Sequence, residues 1–376
     1  MITRGGTSTR DTPTTSTWRH GAAPKDEQQT LRRVGPSRVN AVLRQITSLL
    51  AAGCTLRRAL ECIALQTTHP QTLKLVESMS HQIASGASLA AAMSRYPRQF
   101  PPLYVALVQT AQTGGFLRDV LLRITQYSKQ RNQLVEKVRT ALIYPAVLSI
   151  TALASIVVLM VFIVPRFVQV YQMAEHDLPW PTVILLGVSH VLTRYWYLFT
   201  ILLVVLLVFG NRFVRWLDLQ VTMDRFVLKL PIAGAMLMQW NAAQFARTLG
   251  LLNRSGVPML RSLPLAAEVA SNRVLKNDLK GIVERVAEGA HLAAAMRQTR
   301  MFPPTAIEMV AVGEQSSNLS EVLDQLADEQ EQSVDRALGI VTTLLEPAII
   351  LIMGAVIGFV VIALMLPVLL MSNVLG

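Results

Sequence analysis

Chemistry in this chain would have to begin from its histidine, cysteine and carboxylate side chains, and their spacing offers none. The six histidines, His20, His69, His81, His176, His190 and His291, are scattered, and no two stand at metal-ligand spacing. Cys54 and Cys62 cannot build a disulfide framework, and without a CxxC or Cys/His cluster they do not suggest structural zinc. Both read as small buried side chains. No Gly-rich phosphate loop ends in Lys-Ser or Lys-Thr, so nucleotide hydrolysis would have to come from a partner. The expectation is a non-enzymatic chain with no catalytic residue, no bound metal and no cofactor.

The elements that carry these residues are set by an unusual balance. Of 376 residues, 52% are hydrophobic and only 16% charged, with a mean hydropathy of +0.40. An ordinary soluble domain carries about 25% charge, so part of this apolar surface is expected to face lipid. Three stretches are long and uncharged enough to cross a bilayer: Ala146 to Val164, a second centred on Leu198 to Gly210, and Ala348 to Met371. Tyr195, Trp196 and Tyr197 open the second with an aromatic cluster suited to the headgroup level.

Charge gives the orientation. Residues 1–144 hold 19 basic and 7 acidic groups, whereas residues 211–376 hold 14 and 15. Lys129, Arg131, Lys137 and Arg139 precede the first span, and Arg212, Arg215, Arg225 and Lys229 follow the second. Basic residues resist translocation, which places the N-terminus and the segment before the third span in the cytoplasm and the C-terminus outside. The basic excess therefore points to a membrane rather than to direct nucleic-acid binding. Met1 to Gly35 lacks the apolar core of a signal peptide and reads as a disordered basic tail.

The chain also repeats itself, at an offset of 203 and then 202 residues. Gly53, Arg58 and Leu60 fall on Gly256, Arg261 and Leu263; Gly86 and Leu89-Ala-Ala-Ala-Met93 fall on Gly289 and Leu292-Ala-Ala-Ala-Met296. Phe100-Pro101-Pro102 meets Phe302-Pro303-Pro304, and Pro145 meets Pro347. Within each copy, apolar residues recur at three and four spacing (Val42, Ile46, Leu49, Leu50), and glycine is placed to end helices in the left-handed conformation. Pro258 reads as a first-turn proline, and Asn318 with Glu321 as a capping box. The expected fold is all-α: two homologous cytoplasmic helical-bundle domains plus three transmembrane helices. The expected limits are a tail over 1–35, helical domain 36–144, span 145–170, a short periplasmic segment 171–194, span 195–214, helical domain 215–344, span 345–371 and a periplasmic end 372–376.

Arg44-Gln45-Ile-Thr-Ser-Leu-Leu-Ala-Ala-Gly53, the Gly86-x-x-Leu89-x-x-Ala92 and Phe-Pro-Pro turns, and Val312-Gly313-Glu314-Gln315-Ser316-Ser317-Asn318-Leu319 carry a resemblance over residues 40 to 371. They look like the GspF/PilC family, inner-membrane platform proteins of type II secretion and type IV pilus machines. Two positions depart from the family pattern: Gln112 replaces the glutamate of the first-copy Gly-Glu motif, and Ser317 the glycine usual before Asn-Leu. The resemblance implies a multi-pass protein of the bacterial inner membrane, a homo-oligomer. Its implied partners are a cytoplasmic hexameric secretion or pilus ATPase, pilin or pseudopilin subunits, and other inner-membrane assembly proteins. It makes Glu314, Glu346, Arg44, Arg58 and Arg261 candidate partner contacts. Against that, Glu314 also reads as a locally bonded carboxylate near a helix end, and Glu346 as an interfacial residue at the mouth of the third span. The alternative class is a transporter or receptor subunit, but the three spans carry no central charge for a polar substrate.

Overall fold

The computed structural model describes residues 34–166, 180–191, 194–195 and 220–374. Residues 1–33, most of the expected second span and the last two residues lie outside the described set. Every regular element among the described residues is helical. Contacts divide the chain into two units, one ending at Phe100 and one beginning at Pro101.

The first unit holds α1 (Pro36–Ala51), α2 (Leu56–Gln66), α3 (Pro70–Ala84) and α4 (Leu89–Ser94). Their apolar faces close over Leu43, Ile46, Leu60, Ile63, Leu75, Met79 and Met93, all fully buried. Thr55 and Ser88 cap α2 and α4 by accepting from Arg58 N (3.4 Å) and Ala91 N (3.1 Å). Tyr96, otherwise buried, places its hydroxyl 2.5 Å from Ser78 Oγ.

The second unit begins with α5 (Pro102–Gly114) and α6 (Leu117–Val158), which runs on through a π turn (Leu159–Ile163) to Arg166. A short apolar helix α7 (Trp180–Val191) follows. Then come α8 (Gln220–Lys229), α9 (Pro231–Arg254), α10 (Met259–Ala267), α11 (Arg273–Ala287), α12 (Leu292–Met296), α13 (Pro304–Gln315) and α14 (Leu319–Val374). Helices α9 to α14 repeat α1 to α6 in order: α2, α3 and α4 start 203 residues before α10, α11 and α12, and α5 and α6 start 202 before α13 and α14. The bundle of the second copy is built on Phe245, Leu249, Leu263, Leu279, Met296, Phe302 and Leu323.

Chain reversals are what the duplication preserves most faithfully. After α1 the N–H of Cys54 bonds to Leu49 O and that of Gly53 to Leu50 O; after α9 Val257 and Gly256 bond to Leu252 and Asn253. Both glycines are left-handed, with φ of 84° and 76°, a conformation that a side chain disfavours. Gly86 and Gly289 end α3 and α11 in the same way. The third pair breaks the pattern. Gly115 ends α5 with φ 78°, but its counterpart after α13 is Ser317, held at φ 56° while Asn318 N bonds to Gly313 O. The family glycine missing there is thus missing at a site that bends left-handed regardless. Two smaller expectations shift: Pro258 is the N-cap residue of α10 rather than its first turn, because the chain there is still extended at ψ 142°. The Asn318 amide donates to the Glu321 carboxylate (2.6 Å), a side-chain pair instead of the reciprocal backbone bonds of a capping box.

Helices α6 and α14 leave the bundle and continue as apolar rods, with spanning windows of mean hydropathy 2.9 and 3.1. Neither breaks at its proline, Pro145 or Pro347. Ile150, Leu153 and Phe162 on α6, and Leu351, Ile352 and Ile362 on α14, are exposed, as lipid-facing side chains would be. The far ends of the rods meet: Met160 and Val164 pack with Val360, Ala363 and Leu364, and Leu185 of α7 fills the gap. Thr182 donates to Ala363 O and Ser189 to Met160 O, each at 2.6 Å, so the hydroxyls of α7 are satisfied within this apolar layer. Residues 171–194, expected as a short outside segment, therefore include a helix packed on both rods.

Left-handed serine carries strain that glycine lacks, on the order of 1 kcal/mol. Ser317→Gly is expected to raise the thermal midpoint of the purified protein by a few degrees, roughly 2–4 °C. An unchanged or lowered midpoint would show that the Ser316-Ser317 reversal is not a point of strain.

Candidate functional site

The second unit contains a polar seam that follows α14 down to its apolar stretch, and its centre is a nearly buried arginine. On α14, Asp324, Asp328, Glu331 and Asp335 recur at four, three and four residue steps, which sets them on one face. On α9, Ala242, Ala246 and Gly250 are small and buried, so the two helices come close; a Cβ on Gly250 would lie 3.1 Å from Asp324 Oδ1. Between them lies Arg247, its side chain only 10% exposed. Its guanidinium bonds Asp328, reaches Glu331 at 3.1 Å, stands 3.8 Å from Asp324 Oδ1 and donates to Asp324 O at 3.4 Å. Arg254, one level up, pairs with Asp324 at 2.5 Å.

Helix α6 joins the same seam. Arg123 donates to Arg254 O (2.8 Å), the buried Tyr127 hydroxyl meets Thr248 Oγ1 (3.0 Å), and Lys137 reaches Asp335 (2.8 Å). At the start of the apolar rods Tyr144 donates to Glu346 Oε1 (3.1 Å). Tyr144 and Glu346 are equivalent positions of the two copies, so α6 and α14 run parallel, in repeat register, into their spans.

Electrostatics within the seam is uneven. Burial lifts Asp324 and Glu331 above the ordinary carboxylate range, and the nearby arginines only partly offset it. Burial also opposes the charge of Arg247, yet the bond to Asp328 and attraction to Glu331 and Asp328 leave its pKa raised. The two directions are not reciprocal because one guanidinium collects several acids, whereas Asp324 and Glu331 are each also repelled by Asp328. Burial pushes the Tyr127 phenol up as well, so it stays a neutral donor or acceptor.

The residues singled out from the sequence fall elsewhere. Glu314 on α13 accepts from the N–H groups of Leu292 (2.7 Å) and Ala293 (3.0 Å); with its side chain 18% exposed, it caps α12 from across the bundle. Glu346 is exposed, bonded to Tyr144 through one oxygen. Arg44 is exposed on α1, Arg58 is exposed on α2 and pairs with Glu61 (3.3 Å), and Arg261 is exposed on α10. None of these candidates hydrogen-bonds another. The Arg247 seam was not among them, although the stepped acids of α14 were a readable signal. Position 247 repeats position 44, but the counterparts of Asp324, Asp328 and Glu331 in the first copy are Leu122, Gln126 and Lys129. Among the described residues no group of three or more His, Cys, Asp or Glu side chains could hold a metal.

Fold and seam together define a class: a helical membrane protein in which α9 to α14 repeat the order of α1 to α6, and α6 and α14 each run on into a long apolar rod. The family model for type II secretion system (T2SS), protein F, matches residues 42–165 and again 245–367, two stretches set apart by the internal repeat. The chain belongs to this family. It is 33% identical to the type II secretion system protein F of Pseudomonas aeruginosa over 336 residues, 89% of this chain and 83% of that protein. It is 33% identical to the protein of the same name from Aeromonas hydrophila, over 92% of this chain and 89% of the relative. The type IV pilus assembly protein PilC of Pseudomonas aeruginosa is 32% identical over 92% of both chains.

Equivalent arginines in unlike settings give a direct test. Arg247→Met, which strands the largely enclosed Glu331 and leaves Asp324 with Arg254 alone, is expected to cost about 3 kcal/mol, whereas Arg44→Met should stay within about 0.5 kcal/mol of wild type. Equal losses in thermal or denaturant unfolding would remove the special status of the seam. The acids add a pH signature. Their folded-state pKa values exceed the unfolded ones, so their contribution is full below the ordinary values of 3.8 for Asp324 and 4.5 for Glu331. It is lost as pH rises through the raised folded-state values. Melting at stepped pH should therefore show wild type gaining stability, on acidification from neutral, relative to the Asp324→Asn/Glu331→Gln variant. A relative loss over that window would contradict the assignment.

Proposed function

We propose that this protein is an inner-membrane platform of a bacterial secretion or pilus machine, one that ties a cytoplasmic motor ATPase to pilin-like subunits in the membrane. The observation that carries the reading is the pair of rods: α6 and α14 each pass without a break from bundle to apolar span and are joined at repeat-equivalent positions by Tyr144 and Glu346. A displacement imposed on the bundle is then carried into the membrane by helix rather than by loop. The chemical step belongs to the partner, and this chain works without a nucleotide site of its own.

Exposed Arg44, Arg58 and Arg261 are the side chains for the motor to meet, with the more basic first copy giving the more salt-sensitive contact. Glu314 supports its surface from behind by holding α12. Glu346, whose second oxygen accepts no hydrogen bond among the described residues, is available to a basic group of a pilin-like subunit at the cytoplasmic mouth of the third span. The topology that fits is N-terminus inside, three spans and C-terminus outside, in a homo-oligomer.

Photocrosslinkers at positions 44, 58 and 261 are expected to capture the ATPase in cells that assemble the machine, and one at Leu344 a pilin-like subunit. Purified protein alone should not hydrolyse ATP. Reporter fusions should give an outside signal at Asp177 and at the C-terminus and an inside signal at Asn277. Absence of both partners from every crosslinked site, in an assembling strain, would overturn the reading.

A further inference from the structure

Helix α8 presents a face that the bundle does not use. Met223 and Phe226 stand three residues apart, about 60° from one another around the helix axis, and Leu230 carries the strip into the corner that follows. They are 50%, 65% and 42% exposed, and exposed Ile232 continues the strip beyond the corner. Lys229, also exposed, flanks it about 60° from Phe226, and exposed Arg225 lies further round on the same side. The opposite side is committed to the bundle: Asp224 accepts from Arg273 N (2.9 Å) and, through its carbonyl, from Asn272 Nδ2 (3.3 Å), while Leu228 packs on the core. The corner into α9 is held by Gly234, where a Cβ would fall 2.3 Å from Leu228 O. The strip therefore belongs to a fixed helix, and its exposure is not a matter of poor docking.

Its depth is set by α14. Ile232 shares a groove with Arg336 and Ile340 of that helix. Beyond Arg336 the only charge left on α14 is Glu346, six residues past Ile340, or about 9 Å along the axis. The strip thus stands at the level where α14 sheds its charges and its exposed side chains become apolar, which is the headgroup layer of a bilayer. We propose that α8 is a membrane-surface helix that docks the second bundle onto anionic lipid: Met223, Phe226, Leu230 and Ile232 enter the acyl boundary, and Arg225 and Lys229 meet phosphate headgroups. The sequence agrees, since α8 follows the apolar stretch that ends at Gly210 and the basic pair Arg212 and Arg215. Two basic residues near an anionic surface strengthen such docking by roughly fivefold each.

The proposal rests on α14 crossing the bilayer, and the test separates the two. In full-length protein carrying Cys54→Ala and Cys62→Ala, a fluorophore is attached through Phe226→Cys, Asn277→Cys or Ile352→Cys. Each is placed in nanodiscs of brominated phosphatidylethanolamine and phosphatidylglycerol. Position 352 reports the span, and position 277, exposed on α11, reports solvent. Quenching at 226 is expected to exceed that at 277 by about twofold or more. The excess should shrink in purely phosphatidylcholine discs and with Arg225→Gln/Lys229→Gln. Equal quenching at 226 and 277, with 352 quenched, overturns the docking alone. Shielding of 226 from aqueous iodide without bromolipid quenching places protein there and also overturns it. Loss of quenching at 352 removes the span reading and this proposal with it.

Discussion

A guanidinium with a tenth of its side chain in solvent must be paired, and the pairing of Arg247 organises much of what surrounds it. To reach three acids on α14 it needs α9 close by, which the small faces of Ala242, Ala246 and Gly250 permit. It also needs those acids on one face, which their spacing supplies. With the register of α9 on α14 set in this way, Asn253 meets Ser320 at the upper end, and Ile232 and Ile340 line one groove at the lower. Hydrophobic burial alone tolerates sliding between two helices, whereas a converged charge cluster loses its bonds on a shift of one turn. The seam thus contributes register more than net stability, because removing two or three charges from water largely offsets their attraction.

Duplication usually suggests two equal halves, and here the chemistry is unequal while the backbone is not. The same reversals recur at Gly53 and Gly256, and at Gly86 and Gly289. The same arginine position recurs too, but Arg44 is exposed and Arg247 is enclosed. The acidic steps of α14 have no match in the first copy, where Leu122, Gln126 and Lys129 stand at those positions. An exposed arginine is free to meet a partner, and an enclosed one is not. At this one position the second copy uses its arginine to hold α9 on α14, and the first copy leaves the equivalent side chain in solvent.

Much of the fold was legible because glycine and proline act locally. A left-handed reversal needs no tertiary context to be read, and neither does a Phe-Pro-Pro helix start, so the order α1 to α6 and its repeat follow from spacing. The site was far less legible. Acids at helical spacing on an amphipathic helix are ordinarily a solvated face, and only the approach of α9 encloses two of them, Asp324 and Glu331. Glu314 shows the converse: its motif drew attention as a contact, while its geometry makes it the cap of a helix some twenty residues earlier in the chain. Helices α7 and α8 share a third reason. Each is short, and its meaning lies in where it packs, α7 on the rods and α8 on the bundle, which residue order does not carry.

Depth also explains why a carboxylate is tolerable at Glu346. Deeper in a span its charge would be costly, yet here it stands one residue before Pro347, at the end of the charged part of α14, with a phenol from the parallel rod to bond. Helix α14 has 56 residues, about 84 Å at full helical rise, and it carries Arg247's acids near one end and the Met160 and Leu185 packing near the other. Between these fixed points Tyr144 and Glu346 link the rods directly at their entry to the apolar layer. A bundle that rotates or tilts must either carry both rods together or break that link. Since a single exposed hydrogen bond contributes only about 0.5–1.5 kcal/mol, the link opens and re-forms at little cost. Charge anchors α14 near one end and apolar packing near the other, and the weak link lies midway, where the helix passes from its charged to its apolar half.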